Sequence, residues 1–373
     1  MQQKLWSKNF SYLCVANLLL TSSIYMLIPV LPVWCVQNGM NVQEAAWITA
    51  LSLISFFGLG PICSYLLDTY KRRDVCLIFT LITLLVTGVI GWVALPFIAI
   101  VGLRILQGMA YGMVKMSLGS GLVIDLTPSE FRTVGNYSFN SFGRMAISVG
   151  PCLGMFFLMH LPLQYAFYAS IALGLIAMFL ILMLQIPFRA PLEPAMFSTD
   201  RFWLKKGSLH FFVVICCTLA MGVLLVLHCT IQFYAMLMVG MLCSTIISKV
   251  VFKEADPRAE AVTGMILLVA VFILLLIDPW EEIERIVAVL AGIGINLCTS
   301  RILLCLLRKA EHCERGSANS TYLVAWEVGL GLGIFLTLFV NPEHISTCLF
   351  LGLGAICTGI ISYLVYHKTH EAL

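Results

Sequence analysis

Twelve predominantly apolar runs follow one another along this chain of 373 residues, at 12–34, 43–67, 75–95, 97–124, 133–159, 163–186, 209–230, 231–251, 261–277, 286–307, 317–340 and 345–366. A helix needs about 20 such residues to cross the hydrocarbon core of a bilayer. Within lipid every backbone N–H and C=O must find a partner inside the protein, so a series of helices is the structure these runs permit. The expected fold is therefore an all-α polytopic membrane protein with 12 transmembrane helices. The boundary between the seventh and eighth runs is the faintest, marked by His228, Cys229 and Gln232 alone.

Charge agrees with that reading. Only 11% of residues are charged, against the roughly 25% that cover an ordinary soluble domain. The net charge of +3 is small and scattered, which argues against a nucleic-acid partner and leaves the lipid bilayer as the main surroundings. The chain has 14 cysteines; Cys14, Cys63, Cys76, Cys216, Cys217, Cys298 and Cys357 all sit inside apolar runs and no C-x-x-C pair occurs, so they read as small packing residues. No metal site or cofactor is expected.

The basic residues orient the chain. With a cytoplasmic N-terminus, 17 of the 22 Lys and Arg fall in inside loops and tails; Arg285 alone lies outside, and Arg104, Lys115, Arg144 and Arg301 lie within runs. Such asymmetry is the positive-inside pattern, which an error in the helix count would destroy. Both termini are then cytoplasmic. The first run, though preceded by Lys4 and Lys8, is too long for a signal peptide and is read as a retained helix. The sequons at Asn9, Asn136 and Asn319 would face the cytoplasm, which fits the inner membrane of a bacterial cell. The expected domains are a six-helix bundle over 1–187, a cytoplasmic linker over 188–207 and a second six-helix bundle over 208–373.

The halves share a motif. Arg132-Thr-Val-Gly-Asn136-Tyr-Ser precedes the fifth run and Arg315-Gly-Ser-Ala-Asn319-Ser-Thr the eleventh, each R-x-x-x-N followed twelve residues after the arginine by a charge, Arg144 or Glu327. The loop after the second run, Ser64-Tyr-Leu-Leu-Asp68-Thr-Tyr-Lys-Arg72-Arg73, resembles the G-x-x-x-D-R-x-G-R-R motif of the major facilitator superfamily. Asp68, Arg72 and Arg73 match it, whereas Ser64, Thr69 and Lys71 depart from it. Arg104-Ile-Leu-Gln107-Gly108 is similar to the family's R-x-x-Q-G, Asp125-Leu-Thr-Pro128 with Arg132 to its cytoplasmic turn, and Gly150-Pro151-Cys-Leu-Gly154 to the G-P-x-x-G of its efflux-type members. The resemblance implies two pseudo-symmetric six-helix halves that rock about a central cavity. It also implies a cytoplasmic gate of Asp68, Arg72 and Arg73 with Asp125 and Arg132, and a bend or close packing at Gly150, Pro151 and Gly154.

Polar residues inside the runs mark candidate functional positions, because charge within a bilayer is costly and turns toward the protein interior. At 100° per residue, Arg104, Gln107, Tyr111 and Lys115 form one stripe of the fourth run, and Tyr137, Asn140, Arg144 and Ser148 one of the fifth. Arg144 and Glu327 each lie about 15 Å into their helices and are expected to approach each other across the pseudo-two-fold axis. Glu327 is then a candidate proton-exchanging group, whose charge burial opposes and Arg144 favours; the alternative is a permanent structural ion pair. Many proton-coupled drug exporters of the family carry an acid early in the first helix, where Asn17 stands here, followed by Thr21. Arg104, Lys115 and Arg144 outnumber Glu327, so an anionic or zwitterionic small-molecule substrate suits the cavity. Arg301 is expected to snorkel to the membrane edge.

The expected function is secondary active transport of a small molecule by alternating access, as proton-coupled export (an antiporter) by a monomer. The alternatives are a facilitator or importer of an organic anion and, from another class, a receptor or scaffold, which would call for a soluble partner-binding segment that the runs leave no room for. No H-E-x-x-H, G-x-S-x-G or P-loop suggests an enzyme.

Overall fold

The computed structural model describes residues 5–186, 194–252, 256–277, 281–311, 314–340 and 344–371. Residue 187, the first part of the expected linker (188–193) and the basic Lys4, Arg189 and Lys253 lie outside the described residues. Among the described residues twelve helices are long and apolar enough to cross a membrane: α1 (Lys8–Gln37), α2 (Val42–Thr69), α3 (Arg72–Trp92), α4 (Phe97–Leu126), α5 (Ser129–His160), α6 (Gln164–Leu182), α7 (Lys205–Leu227), α8 (Ile231–Val250), α9 (Arg258–Ile277), α10 (Ile283–Lys309), α11 (Arg315–Val340) and α12 (Ile345–Tyr366). The faint boundary after the seventh run falls at His228–Thr230, where the Thr230 hydroxyl caps α8 by accepting from the Phe233 N–H. Large apolar side chains such as Ile98, Phe350 and Ile361 stand exposed on the outside of the bundle, as a lipid-facing surface requires.

The packing repeats from one half to the other. In the first half α1 lies against α5 and α6, α4 against α2 and α3, and α3 against α6; in the second, α7 lies against α11 and α12, α10 against α8 and α9, and α9 against α12. Adding six to each helix of the first set gives the second. The halves meet through two equivalent seams, α2 on α11 and α5 on α8. At the end of the bundle that holds residue 5 and the 194–207 segment, Asn140 Nδ2 donates to Asn319 Oδ1 at 2.6 Å. At the opposite end the rings of Trp47 and Phe335 meet at a tilt of 52°, with centroids 4.5 Å apart. The halves thus touch at both ends, and the polar groups between them are buried.

Two irregularities shape the centre. The hydrogen-bond ladder of α1 is interrupted at Met26, between Lys8–Tyr25 and Leu27–Gln37, while Met26 itself keeps helical φ −56° and ψ −31° and donates to the Ser22 carbonyl. Pro29 explains the break, since it has no N–H to offer the Tyr25 carbonyl and its ring crowds that carbonyl. Facing the break is α5, whose regular helix runs unbroken from Arg132 to His160 through Pro151. A Cβ on Gly150 would lie 2.9 Å from the Ser22 oxygen, and one on Gly154 2.3 Å from the Met26 oxygen, so this motif lets α5 touch the α1 backbone. Gly333, eighteen residues past Arg315 as Gly150 is past Arg132, plays the equivalent part, its added Cβ falling 2.0 Å from the Leu219 oxygen of α7. The second irregularity is a π-helical turn over Ser117–Leu122 in α4, a widened turn of the kind that recurs at functional places in helices.

Candidate functional site

The break in α1 leaves Tyr25 at the end of its first segment, with its hydroxyl directed across the pseudo-two-fold axis. It donates to Glu327 Oε2 at 2.9 Å, and Tyr111 of α4 donates to Oε1 at 3.0 Å. Trp326 Nε1 donates in turn to the Tyr25 hydroxyl at 2.9 Å. Glu327 is buried, and both of its partners are neutral phenols from the opposite half. On the same side Lys115 of α4 donates to Asn17 Oδ1 at 2.7 Å and to the Thr21 hydroxyl at 2.9 Å. Asn17 fixes the arrangement by donating to the Phe139 carbonyl of α5 at 2.9 Å.

Arg144 makes the mirror-image crossing. From α5 it reaches the second half, with Nε donating to Asn296 Oδ1 at 2.9 Å and the terminal nitrogens to Ser300 Oγ at 2.7 Å and the Tyr322 hydroxyl at 3.3 Å. Within its own helix it reaches Ser141 at 2.8 Å, and its guanidinium lies 5.8 Å from the Tyr137 ring centroid. Asn296 is held by donating to the Met241 carbonyl and the Ser244 hydroxyl of α8. Among the described residues every hydrogen-bond partner of this buried cation is neutral. A group that has left water without a counter-charge is positioned to receive one from a ligand.

The direct approach of Arg144 to Glu327 is not formed. Position along a helix determined the depth of each charge, while the facing helix determined the partner: α5 turns Arg144 toward α10, and α11 turns Glu327 toward α1 and α4. Each half sends the charge of its fifth helix into the fourth helix of the other. The stripe on α4 also divides. Tyr111 and Lys115 face the centre, whereas Arg104 donates to the Ile48 and Thr49 carbonyls at 2.6 and 3.1 Å, to Ser52 Oγ at 2.6 Å and to Gln107. Gln107 continues to Thr87 Oγ1 of α3 at 2.7 Å. Arg104 and Gln107 therefore tie α4 to α2 and α3 inside the first half. On α5, Asn140 bonds Asn319 of α11 rather than joining the Arg144 cluster. Arg301 does not snorkel free but forms an ion pair with the buried Glu260 of α9, Nε to Oε2 2.6 Å.

At the end that carries residue 5, Arg72 pairs with Asp125 at 2.6 Å and Asp68 at 3.2 Å and also donates to the carbonyls of Leu67 and Gly121. Arg73 stays outside this cluster, partly exposed and 3.8 Å from Asp74, because the next position along α3 turns it outward. Arg132 begins the regular part of α5. A further member comes from the segment before α7: Arg201 Nε donates to Asp68 Oδ2 at 2.8 Å. Sequence reasoning passed over Tyr25, Ser300, Tyr322 and Trp326 as ordinary residues of apolar helices. Two signals were available: a tyrosine four residues before a mid-run proline, and a serine four residues after Asn296 on the same helical face.

With this geometry in place the chain can be compared with known proteins. Its sequence matches the Major Facilitator Superfamily over residues 13–334, and the chain belongs to that family: it is a multi-pass membrane transporter of the major facilitator fold. Two solved structures share the fold. The crystal structure of the human organic anion transporter MFSD10 (TETRAN) aligns with a TM-score of 0.68 at 14% identity, over 95% of this chain and 98% of that one. The crystal structure of a bacterial homologue of the iron transporter ferroportin in an outward-facing state aligns with a TM-score of 0.68 at 14% identity, over 97% and 100%. At that identity the likeness concerns the fold. No curated protein matches the sequence.

Proposed function

We propose that this transporter exports a small organic anion or zwitterion in exchange for protons, with Glu327 as the proton-exchanging group. The observation that carries the reading is that Glu327, buried between the halves, accepts hydrogen bonds from the neutral hydroxyls of Tyr25 and Tyr111 of the opposite half. Two phenols serve a carboxylate by donating and a neutral acid by accepting, so the group can change protonation without losing its partners. Rocking of the halves parts Glu327 from both tyrosines at once, because they belong to the opposite half. That motion would deliver the carboxyl to water on one side and then the other.

The substrate class is argued from Arg144 and Lys115, two buried cations whose hydrogen-bond partners are neutral. An anion entering between the halves would exchange these weak acceptors for a charge-assisted pair. Export is supported by the G-P-x-x-G motif, similar to that of efflux-type members. The distribution of basic residues supports both termini being cytoplasmic, the setting being the inner membrane and the domains being 1–187 and 208–373 with a linker between. The protein is taken to act as a monomer.

The test is flux in proteoliposomes with an imposed pH gradient, screened with small organic anions. Wild type should move substrate against its gradient and stop when the gradient is collapsed by an uncoupler. Glu327→Gln should retain exchange of substrate for substrate while losing the response to pH. A glutamine variant with the wild-type pH profile would remove the coupling role. Wild-type transport indifferent to the uncoupler would favour the facilitator reading, in which the Arg144 cluster binds an anion and Glu327 is structural.

A further inference from the structure

The ionic chain Asp68–Arg72–Asp125 stays inside the first half, joining α2, α3 and α4. Arg201 carries it to the second half. Its Nε donates to Asp68 at 2.8 Å and a terminal nitrogen to the Ser120 carbonyl at 3.2 Å, while its backbone N–H donates to Ser317 Oγ of α11 at 3.0 Å. One residue thus touches α2, α4 and α11, on either side of the plane along which the halves must separate. The neighbouring chain is seated in the same way. Ser198 N–H donates to the Pro61 carbonyl at 3.0 Å, Leu204 N–H donates to Thr321 Oγ1 at 2.8 Å, and the Phe202 ring lies where a Cβ on Gly60 would be. Arg201 is also the one described non-glycine residue with positive φ, 60°, a conformation that an arginine adopts when its surroundings enforce it.

From this arrangement we infer that Arg201 is a gating residue, a pin that holds this end of the transporter shut and is withdrawn with the second half when the end opens. The direction follows from connectivity. Residues 201–204 are bonded to α11 and lead within a few residues into α7, so when the seam opens they leave with the second half and the Asp68 ion pair is the bond that breaks. Two carbonyls of the π-helical turn, Ser120 and Gly121, accept from Arg201 and Arg72 respectively. Withdrawal of the pin therefore also uncovers one of them, which couples the gate to the turn in α4. Asp68 keeps Arg72 as a partner after the break, so the first half is not left with a bare buried acid. The inference rests on the alternating-access reading proposed above.

The test is a distance measurement in the full-length protein in lipid nanodiscs, with genetically encoded spin-label side chains at Tyr70 and Lys249. Both are exposed and stand at this end of α2 and α8, in opposite halves. The informative variant is Arg201→Asn, because asparagine tolerates positive φ and the change removes the guanidinium without adding backbone strain. Arg201→Asn should shift the population toward longer separations several-fold relative to wild type, and Asp68→Asn should reproduce the shift. A wild-type distribution in Arg201→Asn, with Asp68→Asn or Arg72→Ala still opening this end, would overturn the role of Arg201 and leave alternating access standing. A label pair unmoved by all three variants and by substrate would overturn alternating access and this inference together.

Discussion

Glu260 and Arg301 form an ion pair in which the carboxylate is 2% exposed. A charge so placed is stable only while its partner remains, and breaking one side of a buried pair costs about 3–5 kcal/mol. Arg301→Met should accordingly lower the melting temperature of the purified protein by several degrees. Replacing both, Arg301→Met with Glu260→Leu, should recover most of the loss, and a double variant no more stable than the single would show that the pair does more than balance charge. Arg144 yields a different expectation, because its neighbours are neutral. Arg144→Lys keeps the charge but loses the planar fork that meets Asn296, Ser300 and Tyr322. The expected result is a KM for anionic substrate raised about tenfold or more, one lost charge-assisted hydrogen bond in size, with a smaller change in kcat. Helical arithmetic placed Arg144 and Glu327 deep in the protein and found them at matching positions in a repeat. It could not find their partners, since a partner depends on which helix lies opposite and no spacing within one helix encodes that.

Among the helices, α1 carries the consequence of a single proline. The break at Met26 sets Tyr25 where it meets both Glu327 and Trp326. Pro29→Ala restores a donor for the Tyr25 carbonyl and removes an interior proline that costs a helix about 3 kcal/mol, which should tighten the turn that carries the phenol and shift it from Glu327. The pH profile of transport in that variant should follow that of Tyr25→Phe, and a wild-type profile would show that the break is not what positions the hydroxyl. In α5 the contact is closer still. Gly154→Leu places a branched side chain against the Met26 oxygen and should sharply reduce the yield of monodisperse protein in size-exclusion chromatography. The twelve helices were legible from apolar length, with ends displaced by only a few residues, because a bilayer imposes length and composition on whatever crosses it. The break, the π-helical turn and the seating of residues 198–204 were not. Each depends on contacts between segments distant in sequence, and Arg201 looked like one more basic residue of a linker until Asp68 and Ser317 were found on either side of it.

At the scale of the molecule, equivalence of the two halves extends from their helix packing to their buried charges, but the charges are exchanged: Arg144 of the first half is solvated by the second, and Glu327 of the second by the first. This crossing has a consequence for how the protein is made. The first bundle leaves the insertion machinery with Lys115 already settled on Asn17 and Thr21, yet with Arg144 still lacking Asn296 and Ser300, which have not been synthesised. The second bundle, when it follows, brings an acid whose two phenolic donors, Tyr25 and Tyr111, belong to a neighbour already in the membrane. If the chain is severed within 187–193 and both pieces are produced together, they should co-purify as one complex; produced singly, the 194–373 piece should be degraded, and Glu327→Gln should slow that loss. Biogenesis of such a transporter is an exchange of hostages, in which neither bundle is a finished object until the other has arrived.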